Sequence, residues 1–581
     1  MSVPVHAYAI NPGPAGWFMR RLRRQRGRMC ILGNSNEFFN TSSAGGRLRA
    51  MYIKAAAAGI PIYSTPAMTL AGTEATSGAP ERSAGFISQS YPDFDRYYPG
   101  NGTGNYFDPA PNSGTGLVRD PLNASQTNWT PLGVAHRWGR SDNAGTVHST
   151  VLGLLCMTGC TSSTPLPFAN NGLYSANLTP TDPNVIQWTQ KFRGEFWLSD
   201  TTVGGGTARP AISVNNVLTA QTPAITIAAG TPTWRNLKRY VTGDVAAGSR
   251  AGTVKVGFTT VNGSALTGDV ALSYFFVTHP DRTTGLGLDS VWAIGGASPL
   301  DVAFSHYNAT RATPDETIYH YLQAVCQQQA DLNQDPIFCL VIADTLNMRN
   351  EGTATAFQTA ADPDSPEAYA MHCAYVINRW QAMWNTLELV GSDGTTVIRT
   401  KAENFKVILS LDHPAADPDD AEMVSYRETG GTILATKFPD TVTVLRNDKI
   451  VDLGELYAVN SNQGLQPNTT RTINAITTGA TSTITTTAAH GLVPGQYVTL
   501  SGTNSTPTTN GVVKVLTTPT TTTFTFTPAS PITVAGTTGT VTTKDPAHLT
   551  LEGYEFYATK LWNALLNLPS LPSDGARLRG R

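Results

Sequence analysis

The sequence predicts an α/β protein: a three-layer parallel sheet interrupted by a β-sandwich insertion and by a second small β-domain. Three observations carry this. Short apolar runs at 29–33, 290–295, 336–343 and 405–411 read as strands buried on both faces, and three of the four lead into helical periodicity. Between them lie long stretches with turn residues and two-residue alternation but no helical period. With those stretches set aside, 29–59, 284–465 and 545–568 together make roughly 240 residues, an ordinary size for one domain.

Taken in chain order, residues 1–28 carry Arg20, Arg21, Arg23, Arg24, Arg26 and Arg28 and read as an N-terminal basic arm, either exposed or a helix docked on a neighbouring subunit, with contact to nucleic acid as the lesser alternative. The first part of the α/β domain spans 29–59, with a helix over 44–58. Residues 60–163 are rich in Gly, Asn, Pro and Ser and read as a loop and strand insert. The alternating stretches of 164–283 predict the β-sandwich insert. The second α/β part, 284–465, holds helices over 314–332 and 365–389. The Thr-dense segment 466–544 alternates β-branched residues between regular turns, which predicts a small β-domain, an assembly or spacing module outside the chemistry. Residues 545–581 complete the α/β domain with a helix over 549–566 and a tail.

Composition bounds the function. The 581 residues are 40% hydrophobic and only 14% charged, with 53 Gly and 37 Pro, as in a loop-rich globular chain. A net charge of −2 gives no global field that selects nucleic acid or an acidic membrane. The apolar runs fall short of the roughly 18–20 residues of a membrane span. Met29-Cys30-Ile31-Leu32 is too short for a signal-peptide core, so ordinary export is not expected. The six cysteines (30, 156, 160, 326, 339, 373) are scattered and read as buried thiols rather than a disulfide framework.

The chemistry-bearing residues stand at the extremities. Ser35, in Gly33-Asn34-Ser35-Asn36, follows the first strand and precedes the first helix. That position exposes its hydroxyl at the carboxyl edge of the sheet, where open α/β folds bind ligands. Near the other end, Asp545-Pro546-Ala547-His548 stands just before the last helix. A serine needs a base to take its proton and a third group to orient that base, and Asp545 with His548 supplies both.

These blocks resemble those of the SGNH (GDSL) hydrolases, whose sheet is flavodoxin-like. The family's Asp-x-x-His before the final helix is matched by Asp545–His548 with Gly553 following. Its Gly-Asp-Ser block is matched by Gly33-Asn34-Ser35, with Asn in place of Asp. The resemblance implies Ser35 as nucleophile, His548 as base and Asp545 as its orienting partner. It also implies an oxyanion hole from Gly296, in Ile294-Gly295-Gly296-Ala297-Ser298, and from Asn347 after the strand that ends Val341-Ile342-Ala343. Asn350 is the alternative to Asn347, because the third block lacks its Gly and is one residue longer. No metal or organic cofactor is implied.

Other sets have competing readings. Asp412-His413-Pro414 with Asp417, Asp419 and Asp420 fits either a hard cation or the acidic first turn of a helix. Trp188, Trp197, Trp234 and Tyr240, with Arg235, Lys238 and Arg239, fit either a sugar platform or core aromatics. The series Ala489-His490-Gly491-Leu492, Val498-Thr499-Leu500-Ser501-Gly502, Asn510-Gly511 and Thr522–Phe526 looks like the small β-domains of bacteriophage tail proteins, with His490 as a turn residue. Together the two resemblances imply a virion (tail) esterase made in the host cytoplasm. Its partners would be other tail proteins and copies of itself, and its substrate an acylated cell-surface glycan. The alternatives are a non-viral bacterial esterase or lipase, and a structural virion component with an inactive SGNH-like domain.

Overall fold

The computed structural model describes residues 5–33, 47–64, 73–75, 129–131, 136–141, 147–152, 155–157, 172–177, 191–202, 205–214, 217–230, 237–246, 253–258, 270–293, 314–343, 365–409, 420–452, 454–456, 459 and 465–570. Its centre is a twelve-stranded mixed sheet. One half is parallel. Arg26–Gly33 lies between Gly285–Ala293 and Phe338–Ile342, followed outward by Phe405–Leu409 and Val442–Leu445. The short strand Ile62–Ser64 pairs parallel on the far side of Gly285–Ala293. Leaving that strand out and counting along the chain, the order is 2-1-3-4-5. It therefore reverses direction between Arg26–Gly33 and Phe338–Ile342, the switch point of an open α/β sheet.

Two-faced burial explains the apolar runs. Met29, Ile31, Cys339, Val341 and Ile408 point into one core, under the helices Gly13–Arg21, Arg47–Ala57 and Leu551–Leu566. Cys30, Leu32, Phe338, Leu340, Phe405 and Val407 point into the other, under Pro314–Ala330 and Pro366–Thr386. The second core is aromatic, with Trp380 and Trp384 fully buried and Phe338 stacked between Trp380 and Phe405. Pro366–Thr386 starts sharply because Ser365 caps it, its side chain accepting from Ala368 N–H at 3.2 Å, with Pro366 in the first turn.

Three expectations are corrected. First, residues 13–28 are no arm. Gly13–Arg21 is a helix that buries Ala15, Phe18 and Met19, while Arg26 and Arg28 lie inside the first strand and are buried. Gly16 permits close contact here, since a Cβ would stand 2.1 Å from the Pro569 carbonyl oxygen. Second, the β-insert is sandwich-like, two sheets face to face, but it is not separate from the central sheet. Its strands Val270–Thr278, Arg193–Ser199 and Leu237–Val241 continue the central sheet, antiparallel, beyond Ile62–Ser64. A four-stranded sheet covers this extension, with Ile212 against Gly194. Third, the boundary expected at 544/545 falls inside a single strand, Thr540–Leu549.

The Thr-rich segment forms its own seven-stranded sheet with its own core, including Ile473, Ile484, Val498, Leu500, Phe524 and Val541. Its two edge strands, Gly511–Lys514 and Thr517–Thr520, are consecutive in the chain. Between them Val515 N–H donates to Gln496 O and Leu516 N–H to Thr525 O, both at 2.8 Å. One stretch of chain therefore joins the two edges, its first half pairing with Tyr497–Ser501 and its second half with Thr523–Phe526, and the sheet curls into a barrel around its core.

Candidate functional site

The carboxyl ends of three neighbouring strands define the candidate site. Gly33 is paired with Ala293, and Leu32 with Ile342, so the three strands finish nearly level and about 4.8 Å apart. Ser35 follows the central strand by two residues in sequence, Gly296 follows Gly285–Ala293 by three, and Asn347 follows Phe338–Ile342 by five. Ser35, Gly296, Asn347 and the alternative Asn350 lie outside the described residues.

The remaining pair stands at the root of the barrel. Its first and last strands, Leu465–Ile476 and Thr540–Leu549, are antiparallel neighbours. Pro467 pairs with Lys544 and Leu465 with Leu549, so Gln466 faces the whole Asp545-Pro546-Ala547-His548 stretch, a bulge of four residues against one. The backbone of Asp545 is described and His548 is half-buried. Immediately after it Leu549 is fully buried in the core beneath the parallel sheet, and Thr550 caps the closing helix by accepting from Gly553 N–H at 3.1 Å. That helix packs on Arg47–Ala57, the helix that follows the Ser35 loop. Trp562 Nε1 donates to Met51 O at 2.7 Å, and Lys54 pairs with Glu555 at 2.8 Å.

The other sets separate. Trp197 is buried in the second core and donates from Nε1 to Glu195 at 2.9 Å, which makes it a core aromatic. Tyr240 is partly buried beside the first core, while Trp188, Trp234 and Arg235 lie outside the described residues. Lys238 pairs with Asp200 and Arg239 with Glu195 and Asp331. Residues 410–419, with Asp412, His413, Asp417 and Asp419, also lie outside. Among the described residues no group of His, Cys, Asp and Glu is placed to hold a metal ion, and no helix is long and apolar enough to cross a membrane. His490 is buried edge-on to Phe524 in the barrel, and its Nδ1 accepts from Leu492 N–H at 2.9 Å. Cys30, Cys326, Cys339 and Cys373 are buried thiols.

Sequence reading missed a polar seam at the junction of the two sheet halves. Arg28 binds Asp289 through two nitrogens at 2.5 and 2.7 Å, both side chains being fully buried, and Tyr321 donates to the same carboxylate at 2.7 Å. Burial opposes the Arg28 charge, yet Asp289 holds its pKa well above the ordinary value. Gly287 leaves room for this guanidinium, since a Cβ there would stand 2.2 Å from Arg28 Nη1. Arg26 donates to the carbonyls of Arg282, Gln328 and His279. Arg239 bridges Glu195 and Asp331, joining the inserted strands to Pro314–Ala330 and the turn after it. Burial pushes the Tyr63 hydroxyl up to about 12. This seam fixes two sheet halves together. Asp289, set between Leu288 and Ser290 in the strand Gly285–Ala293, was the available signal.

No protein-family model matches the chain, and no curated protein matches it. Among solved structures, the chain is similar at 12% identity to the CBM22-1 and GH10 modules of the Clostridium thermocellum endo-1,4-β-D-xylanase 10B, over 54% of each chain, with a TM-score of 0.14. It thus spans about half the length of that protein. It is similar at 10% identity to a family two carbohydrate esterase from Cellvibrio japonicus, over 52% of this chain and 82% of that one, with a TM-score of 0.17. A third likeness, 11% identical with a TM-score of 0.11, is to the C-terminal CBM6 of a Zobellia galactanivorans laminarinase, over 25% of this chain and 88% of that one. Overlaps this loose define no common fold.

Proposed function

We propose that the chain is a serine ester hydrolase of SGNH type. The observation that supports this most is the arrangement of the strands. The segments bearing Ser35, Gly296 and Asn347 leave the carboxyl ends of three adjacent parallel strands at the sheet's switch point, where such folds bind ligands. The Asp545–His548 pair precedes a helix packed on the one that follows Ser35.

In this reading His548 accepts the Ser35 proton as Ser35 attacks an ester carbonyl. Asp545 fixes the imidazole tautomer. The oxyanion is held by the Ser35 and Gly296 N–H groups and the Asn347 amide, and water activated by His548 then releases the acyl group. The proposed substrate is an acylated, preferably acetylated, cell-surface glycan, and the proposed location a virion tail. Asn34 and the altered third block favour a second reading, an inactive structural component of the same fold.

The test is hydrolysis of p-nitrophenyl acetate by the purified protein and by Ser35→Ala and His548→Ala. Members of a triad act as a unit, so each variant should lose on the order of 10³-fold or more in turnover while staying folded. Comparable turnover by Ser35→Ala sinks the esterase reading, and a folded but inert parent protein selects the second.

A further inference from the structure

We propose that the Thr-rich barrel is a positioning element for His548 rather than a detachable spacer. The inference rests on the esterase reading above and deepens it. Three observations lead to it. The last barrel strand, Thr540–Leu549, itself runs through Asp545 and His548, so barrel and candidate dyad share one element. The stretch carrying the dyad is a bulge whose span is fixed at both ends by pairing to the first barrel strand, at Pro467↔Lys544 and Leu465↔Leu549. The barrel is also seated directly on the α/β domain. Tyr497 and Val512, neighbours on its outer strands, pack against the core that holds Met29, Ile31 and Leu549, and the Tyr497 hydroxyl lies beside Gly454.

The physical consequence is geometric. A bulge has no ladder of its own to set its path, so its two closing rungs and the body they belong to determine where its side chains point. On the other side His548 is tied within two residues to a capped, buried helix. Its imidazole is therefore held between two anchors, one of which is the barrel. Loosening the barrel's seat should displace the base without touching any reacting group. A base misplaced by about 1 Å costs on the order of 10²-fold in rate, while the substrate-binding surface is unchanged. Tyr497 and Val512 are accordingly positioning residues.

The experiment compares Tyr497→Ala, Tyr497→Phe and Val512→Ala in the full chain. Turnover of p-nitrophenyl acetate is measured together with the His548 ring resonance in protein labelled with 13C-histidine, that signal being assigned by its loss in His548→Gln. Tyr497→Ala is expected to lower kcat by about tenfold or more with KM unchanged and to shift the His548 resonance. Tyr497→Phe, which keeps the ring seated, should restore both, and Val512→Ala should act in the same direction as Tyr497→Ala if Tyr497→Ala proves too unstable to assay. An unmoved His548 resonance with unchanged kcat in the Ala variants overturns the proposal even if Ser35→Ala and His548→Ala are inert, in which case the esterase reading stands alone. Should Ser35→Ala retain full turnover, the esterase reading fails, and the resonance by itself decides whether the barrel positions His548.

Discussion

The central sheet and the Thr-rich barrel solve the same problem, hiding strands from water, in opposite ways. The parallel half of the sheet buries both faces under helices and admits charge into its interior, where Arg28 and Asp289 are fully covered. The barrel buries one face only and closes on itself. Between 466 and 544 it holds no Asp or Glu, and its outer rows are Thr paired with Thr, as at Thr470–Thr542 and Thr517–Thr525. Two-faced burial makes stability depend on a few polar groups that must be satisfied inside. One-faced burial spreads stability over many small apolar contacts and leaves the outer rows nearly neutral.

The comparison breaks most visibly at Asp289. Asp289→Ala leaves the Arg28 charge buried and unpaired, which should cost about 3–5 kcal/mol in the urea transition of the α/β portion. The barrel has a separate core, so its own transition, followed through hydrogen exchange of the strand amides around Ile484, Phe524 and Val541, should stay in place. A common shift of both transitions would show that the two regions unfold as one unit.

Acid should act on the same side of the molecule. His279, whose Nδ1–H donates to Lys191 O, and His372 are both buried, and burial lowers each pKa to about 4. An unfolded histidine titrates near 6.5, so the unfolded chain binds more protons once the pH falls below that value. The stability that the neutral imidazoles contribute is fully present above about pH 6.5 and is lost progressively as pH falls towards 4. The upper limit is roughly 3 kcal/mol for each group. His279→Gln should flatten the pH dependence of the α/β transition between these limits, and an unaltered slope would remove His279 from the account.

The smallest effects belong to the barrel. Ile484→Val removes one methylene from its core and should cost about 0.5–1.5 kcal/mol, whereas Thr517→Ala on the outer row should stay within about 0.5 kcal/mol. Thermal unfolding of both variants checks the ratio. Equal costs would mean that the Thr rows contribute as much as the core.

These same differences explain what could be read in advance. The strands that became the centre of the sheet were legible because burial on both faces leaves uninterrupted apolar runs. Val442–Leu445 was passed over because Thr443 interrupts a run of only four residues. Gly13–Arg21 hid behind its arginines, although Ala15, Phe18 and Met19 have the spacing of one helix face. Arg26 and Arg28 looked like solvated charge because the carboxylate that neutralises Arg28 lies 261 residues away, beyond any local pattern. Alternation announced the barrel's strands, but not that Val515 and Leu516 would close it. The candidate site was legible only as short motifs at strand ends, since the identity of a loop residue reports chemistry and its placement depends on distant pairing.

The long gap between Arg26–Gly33 and its partners has a consequence for how the protein is made. The first strand leaves the ribosome about 260 residues before Gly285–Ala293, and about 310 before Phe338–Ile342, the two strands that flank it. At roughly 5–20 residues per second, it waits about 13–50 s for the nearer one. During that time the apolar run Met29–Leu32 and two arginines destined for burial have the helices Gly13–Arg21 and Arg47–Ala57 for company but neither flanking strand, so the early chain depends on holding that strand in reserve. The barrel faces no such delay, because every strand it needs lies within one contiguous stretch ending at Leu549. The barrel therefore assembles locally just as Thr540–Leu549 and the helix Leu551–Leu566 are delivered to a domain whose central strand was made long before.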